Sequence, residues 1–236
     1  MKIEGPLIPA TFVERPNRFI TLVSIDGDVH RSHLPDPGRL KELLVSGADL
    51  LVRQAPKDSN RKTRYTTVMV NHDGQLISLV SSLPNQFVGL ALKNNELPMF
   101  KGYTLIRPEI PVGSHRFDFL LKSPIGSDFY LEVKSVTYVK NSVAQFPDAV
   151  TERGKNHAKA LKKLVQNGYE AGILFVCQRP DASSFRPMWE RDPKLAEAVL
   201  DARNAGVKVW CITLNVSKTE ITFNQEIPVN LEIAEN

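Results

Sequence analysis

Glu132 and Lys134 stand two residues apart in the stretch YLEVKS, residues 130–135. The apolar residues around them have strand spacing. Side chains alternate faces along a strand, so the carboxylate and the ammonium share one. Asp118 sits in the preceding apolar run, HRFDFLLKS. There Arg116, Asp118 and Leu120 share one face; Phe117, Phe119 and Leu121 share the other and are expected to pack inward. Pro124 and Gly126 break the chain between the two runs, as a hairpin would require, and pairing would bring Asp118 beside Glu132 and Lys134. An exposed strand face carries such charges as cross-strand ion pairs, worth roughly 0.2–1 kcal/mol each. Both runs, however, are flanked by apolar strands and helices, and buried charge needs compensation. Asp118 and Glu132 offer hard oxygen ligands suited to Mg²⁺ or Mn²⁺, which keep several waters and accept phosphate oxygens. Lys134 is then placed to position or activate an attacking water and to counter charge building on a phosphate.

The next segment adds two basic groups. PDAVTERGKNHAKALKKLVQNG, 147–168, reads as a helix with Asp148 as N-cap and Gly168 just past its end. Val150, Arg153, His157, Ala160, Leu161 and Leu164 fall on one stripe, which turns Arg153 and His157 toward the sheet. A helix N-terminus, an arginine and a histidine near two carboxylates suit a phosphodiester. Two plainer readings stay open: Arg153 pairs with an acidic neighbour such as Glu132, and His157 only packs.

The elements that must hold these residues fall into two halves. With 236 residues, 42% hydrophobic and 24% charged, the chain is long enough for one large or two small cores. The net charge is +4, divided between the halves, with 11 basic against 9 acidic residues over 1–85 and 18 against 16 over 99–236. Any nucleic-acid surface must therefore be concentrated by folding. Cys177 and Cys211 lie in apolar runs and read as buried strand thiols, with no zinc or disulfide spacing. Without an apolar span or a signal-peptide core, the expectation is a soluble cytoplasmic protein with no membrane partner.

Over 1–83, LIPATFVERP, RFITLVSIDGDVHRS, ADLLVRQA, TRYTTVMVNHDG and QLISLVSS read as short strands with turns at 26–28 and 72–74. LPDPGRLKELLVSG, 34–47, reads as one short helix between them, with Leu40, Leu43 and Leu44 as its stripe. That pattern fits a small closed barrel of the OB type. Over 84–236 the rhythm α-β-β-β-α-β-α-β, opened by PNQFVGLALKNNEL, implies a mixed sheet with helices on both faces. The fold class is thus α/β (α+β overall), with an OB-like barrel before a mixed α/β domain.

The segments RFDFLL, YLEVKSVT and FPDAVTERGKNHAKAL, with the PDPG turn at 35–38, closely resemble the sugar fermentation stimulation protein A family. The resemblance spans essentially the whole chain. It implies an OB-fold nucleic-acid-binding domain followed by a domain like the PD-(D/E)xK (restriction-endonuclease-like) nucleases. It makes Asp118 and Glu132 the metal ligands and Lys134 the catalytic lysine. Members of that superfamily often add a glutamate from the helix before the sheet, for which Glu96 is the first candidate and Glu109, on the first strand, the second. Many carry a glutamine in the helix after ExK; here Glu152, Arg153 and His157 stand instead.

For holding substrate, KDSNRKTRY, 57–65, supplies Lys57, Arg61, Lys62, Arg64 and Tyr65 in a loop between strands. OB barrels bind nucleic acid with basic grooves and aromatic platforms. Tyr65 and Phe87 can stack or be core; Arg39 can bind phosphate or steady the PDPG turn; Arg116 shares Asp118's face. The expected activity is a Mg²⁺- or Mn²⁺-dependent nuclease acting on DNA and/or RNA. The alternative is a non-catalytic DNA-binding regulator of sugar-utilisation genes that retains a nuclease fold. Oligomeric state, a homodimer included, is left open.

Overall fold

The alternating N-terminal runs form six strands: β1 (Leu7–Asn17), β2 (Ile20–Ile25), β3 (Asp28–His33), β4 (Asp49–Gln54), β5 (Tyr65–His72) and β6 (Gln75–Ser78). In this computed structural model, residues 1–56 and 58–233 are described, and Lys57 lies outside them. Asp26-Gly27 and Asp73-Gly74 make the two tight hairpins, each residue with positive φ, as the twist of paired strands requires. The sheet order is β3-β2-β1-β4-β5-β6, and a parallel pairing of β3 with β5 closes the barrel. Val23, Leu50, Val52, Val70, Ile77 and Leu79 fill it.

The helix expected over 34–47 does not form. Only one turn closes, with the N–H groups of Leu43 and Leu44 donating to the Leu40 carbonyl at 3.1 and 2.9 Å. Leu40 has φ of 50°, a left-handed conformation that a right-handed helix cannot continue through. Leu40, Leu43 and Leu44 are still buried in the barrel core. Their stripe reports burial of an irregular plug.

The second half builds α1 (Leu83–Lys93), β7 (Thr104–Val112), β8 (His115–Lys122), β9 (Asp128–Val136), β10 (Val139–Lys140), β11 (Val143–Phe146), α2 (Glu152–Gln166), β12 (Glu170–Cys177), β13 (Ser184–Pro187), α3 (Pro193–Asn204), β14 (Lys208–Val216) and β15 (Ile221–Ile227). Six of these strands make a mixed sheet in the order β15-β14-β12-β9-β8-β7. β7, β8 and β9 run antiparallel; β9, β12 and β14 run parallel. β10, β11 and β13 form a small separate sheet. Helices cover both faces of the large sheet, so β12 is buried along nearly its whole length. One core unites α1 with Phe119, Leu121, Phe129 and Leu131. The other unites α2 and α3 with Phe117, Ile173, Phe175 and Cys211.

Cys177 and Cys211 are free and buried, and burial pushes the Cys177 thiol up to about 12. They are packing residues, as their apolar runs imply. The first three residues dock on the second domain: the Met1 ammonium donates to the Ile221 carbonyl at 2.7 Å and Ile3 N–H to that of Thr219 at 2.8 Å. Among the described residues, no helix is long and apolar enough to cross a membrane.

Candidate active site

β8 and β9 pair in the register Phe119↔Leu131, Leu120↔Tyr130 and Leu121↔Phe129, so the expected hairpin exists. The ladder stops at Phe119, and there the expected faces break down. Phe119 and Leu121 pack under α1, whereas Phe117 packs with α2 on the opposite side of the sheet. Asp118 sits where the strand changes sides. Its Oδ2 accepts the Val133 N–H at 2.7 Å, in place of a ladder bond. Its Oδ1 accepts from Asn85 Nδ2 in the first turn of α1 at 2.5 Å. Gly89 lets that helix approach closely, since a Cβ there would stand 3.2 Å from the Phe119 ring. Asn85 is thus the side chain that α1 delivers to the site, and no spacing in the sequence marks it.

Glu132 is 4% exposed in the middle of β9. Its Oε1 takes the Lys134 ammonium and the His157 Nδ1, the latter at 2.5 Å. Its Oε2 is buried with no partner among the described residues. Burial pushes the Glu132 carboxyl up, but the His157 hydrogen bond and the Lys134 charge outweigh it, and the net direction is down. Asp118 goes the other way. Burial and then repulsion from Glu132 raise its carboxyl to about 6, against the Val133, Lys134 and Asn85 contributions. One carboxylate is therefore held ionised while its neighbour is poised near neutrality, a pattern typical of functional sites. His157 is itself buried, with the rings of His115 and Phe117 edge-on at 5.5 and 5.7 Å.

The site collects Asp118, Glu132, Lys134 and His157 and leaves out the other candidates. Glu96 lies beyond the end of α1, exposed, and accepts from Asn94 at 2.9 Å. Asn85 and Glu96 are at opposite ends of an 11-residue helix, about 16 Å long. Glu109 is exposed at φ of 50° and faces Arg116 at 3.5 Å. That surface pair also occupies Arg116. Arg153 is exposed, because the buried stripe of α2 is Gly154, His157, Ala158, Leu161 and Leu164. The cap differs from the expected one as well. Thr151, not Asp148, caps α2 by accepting from Gly154 N–H at 3.1 Å. Asp148 instead reaches the barrel, its Oδ2 accepting Arg39 N–H at 2.6 Å.

Tyr65, on the barrel, and Phe87, on α1, are both core residues, 7% and 2% exposed, and cannot serve as stacking platforms. Arg61, Lys62 and Arg64 are exposed. Arg61 and Lys62 line a shallow groove with Arg53 and His33, and Arg61 donates to Thr66 Oγ1 at 3.0 Å. Arg39 is exposed at the mouth of a larger cleft of about 1000 Å³ between the two domains, which Arg15, Arg18 and Lys41 also line. Those three residues were not singled out by any motif.

The donor set fits a hard divalent cation. Glu132 Oε2 is an orphaned buried acceptor, and leaving such a group unmet costs about 1–3 kcal/mol or more when it is charged. Among the described residues, no group of three or more His, Cys, Asp or Glu stands together as a metal cage. Two carboxylates with the remaining positions left to water and substrate oxygens is the usual way Mg²⁺ is held.

Comparison with known proteins accords with this architecture. Residues 13–79 match a family described as the SfsA N-terminal OB domain, and residues 82–220 match the sugar fermentation stimulation protein RE domain. A sugar fermentation stimulation protein homolog of Acetivibrio thermocellus is 43% identical over 97% of this chain and 99% of its own length. One from Moorella thermoacetica is 38% identical over 98% and 100%. A solved structure of Pyrococcus furiosus SfsA in complex with Ca²⁺ is 30% identical, covers 98% of both chains and superposes with a TM-score of 0.88. With an OB barrel, a restriction-endonuclease-like mixed sheet and relatives matched along their full length, this chain belongs to the sugar fermentation stimulation protein family.

Proposed function

We propose that this chain is a Mg²⁺- or Mn²⁺-dependent nuclease that hydrolyses phosphodiester bonds of DNA and/or RNA in the cytoplasm. The observation that carries this reading is the unpartnered Glu132 Oε2 beside Asp118 and Lys134. Pure nucleic-acid binding has no use for two buried carboxylates, which repel phosphate. That the Pyrococcus furiosus relative was solved in complex with Ca²⁺ supports a divalent cation as a ligand of this chain.

Asp118 and Glu132 hold the cation in this reading, and the cation supplies Lewis-acid polarisation and charge neutralisation at the phosphate. Val133 N–H and Asn85 fix the Asp118 carboxylate in place. His157 fixes Glu132 through Oε1 and leaves Oε2 free to ligate. Lys134 brings a positive charge to the same pocket, where it stabilises negative charge developing on the attacked phosphate and orients the attacking water. The low-dielectric setting strengthens each of these effects.

The test is cleavage of labelled single- and double-stranded DNA and RNA, with Mg²⁺, Mn²⁺ or EDTA, by wild type and Lys134→Ala. Metal-dependent cutting lost in the variant is expected. Binding without cutting under every metal would overturn the reading in favour of a DNA-binding regulator with an inherited nuclease fold.

A further inference from the structure

We propose that an unpaired nucleic-acid strand lies in the cleft between the barrel and the second domain, so that single strands are the substrate. This deepens the nuclease reading and depends on it only for the cutting step. The barrel wall of the cleft carries Arg15, Arg18, Arg39 and Lys41. Arg15 is structural, since its guanidinium donates to the carbonyls of Arg39, Arg18 and Asp36. Arg39 is engaged through its backbone and Arg18 through its carbonyl, which leaves both guanidinium groups to the cleft. Lys41 is exposed beside them. Asp36 and Asp148 also line the space, but their carboxylates accept backbone N–H groups of the 36–40 turn.

The opposite wall is β9 and its continuation, Ser135 to Tyr138. Ser135 directly follows Lys134, and Ser81, also lining the cleft, lies four residues before Asn85. The cleft thus meets β9 one residue past Lys134, while Asp118, Glu132 and Lys134 themselves lie outside its lining. Ser135 Oγ accepts from Gln178 Nε2 at 3.0 Å, which frees its own proton for a phosphate oxygen. Tyr138 adds an aromatic ring to the wall, with the Arg191 guanidinium 5.6 Å above it. A basic groove with an aromatic face is how single strands are held without sequence preference. A volume of about 1000 Å³ is the upper size of an ordinary ligand pocket, room for a few nucleotides and not for a duplex.

The experiment is titration of a labelled oligothymidine of about 15 nucleotides, near the largest OB-fold site size, and of its duplex, in EDTA so that nothing is cut. Proteins compared are wild type, Arg18→Ala/Arg39→Ala/Lys41→Ala, Tyr138→Ala and Arg61→Ala/Lys62→Ala/Arg64→Ala. Unfolding midpoints serve as the control, and the triple cleft variant keeps every backbone hydrogen bond described above. The cleft variant is expected to lose at least tenfold in single-strand affinity, with a salt slope shallower by about 2, from three phosphates at about 0.7 each. Tyr138→Ala is expected to lose at least about fivefold, the lower end of one base stack. Wild type is expected to prefer the single strand. Unchanged affinity in a folded cleft variant overturns the proposal, as does a duplex preference or a loss confined to the 61–64 variant. Cutting by wild type with no cleft effect would sink this proposal and spare the nuclease reading. A cleft effect with no cutting would do the reverse.

Discussion

Among the places where the described residues bury carboxylates, the domain junction and the central sheet treat them differently. At the domain junction, Asp36 accepts the Gly38 N–H at 2.7 Å, and Asp148 accepts those of Arg39 and Leu40 at 2.6 and 3.4 Å. A Cβ on Gly38 would stand 2.5 Å from Asp148 Oδ2, so the turn needs glycine for the two domains to meet. These carboxylates are satisfied by the fold. At the sheet, Glu132 gives Oε1 to Lys134 and His157 and leaves Oε2 without a partner among the described residues. A buried acceptor without a partner calls for a water or an ion; Glu42 Oε1 and Glu170 Oε1 share that condition, and Glu132 stands apart in giving its Oε1 to a lysine and a histidine beside Asp118. Sequence alone reads Asp148 as a helix cap and Glu132 as a metal ligand. Their hydrogen bonds separate a junction from a site.

The sharpest way to break that contrast is to remove charges at the sheet. Asp118→Ala and Lys134→Ala are each expected to cut cleavage at least a hundredfold, the scale of losing one preorganised electrostatic contact, while the unfolding transition stays cooperative. Retained cleavage in either purified variant would dissolve the site.

The junction should respond in stability instead. Burial, and after it the nearby Asp148 charge, raise the Asp36 carboxyl to about 6 against its Gly38 hydrogen bond. A carboxyl raised on folding binds its proton more tightly in the folded state. Stability is thus greatest below its unfolded value near 4 and is lost as pH rises through about 6. Asp36→Asn removes that loss. It should stabilise the protein at pH 8 by no more than about 3 kcal/mol, two pH units' worth, with the gain vanishing below about pH 4. Denaturant melts across pH 4–8 measure it; a gain independent of pH would refute the assignment.

Asp148→Ala frees two backbone N–H groups and is expected to cost about 1–3 kcal/mol in a denaturant melt. Cleavage by the folded protein should change far less than in the sheet variants; a loss as large as theirs would merge the two regions into one. The smallest effect is reserved for residues the fold sends away. Glu96→Ala and Arg153→Ala are surface changes within about 0.5 kcal/mol of wild type, and cleavage should stay within about threefold. A hundredfold loss from either would restore it to the site.

Much of this was legible before any coordinates. Period-two alternation and the Asp-Gly turns sufficed for the barrel, and the ExK spacing put Glu132 and Lys134 together. The misreadings have local physical causes. Leu40, Leu43 and Leu44 carry helical spacing, yet Leu40 turns left-handed after the PDPG turn and the leucines plug the barrel individually. Arg153 has the spacing of the His157–Leu161–Leu164 stripe, yet it is exposed. Asp148 is drawn to the barrel, Thr151 caps instead, and Gly154 takes the inward position. Asn85 was invisible, because nothing local in PNQF says that the helix will be packed against Phe119 with its first turn over Asp118. The cleft was invisible too, since its two walls are more than 90 residues apart in the chain.

The central claim is that Glu132 Oε2 awaits a cation. Its most direct test is calorimetric titration of Mn²⁺ into wild type and Glu132→Gln, with thermal melts at saturating metal as a second readout. Wild type should bind and gain about 2.7 kcal/mol of stability at a hundredfold excess over the dissociation constant, and Glu132→Gln should do neither. Equal binding by the variant, or none by wild type, would contradict the account.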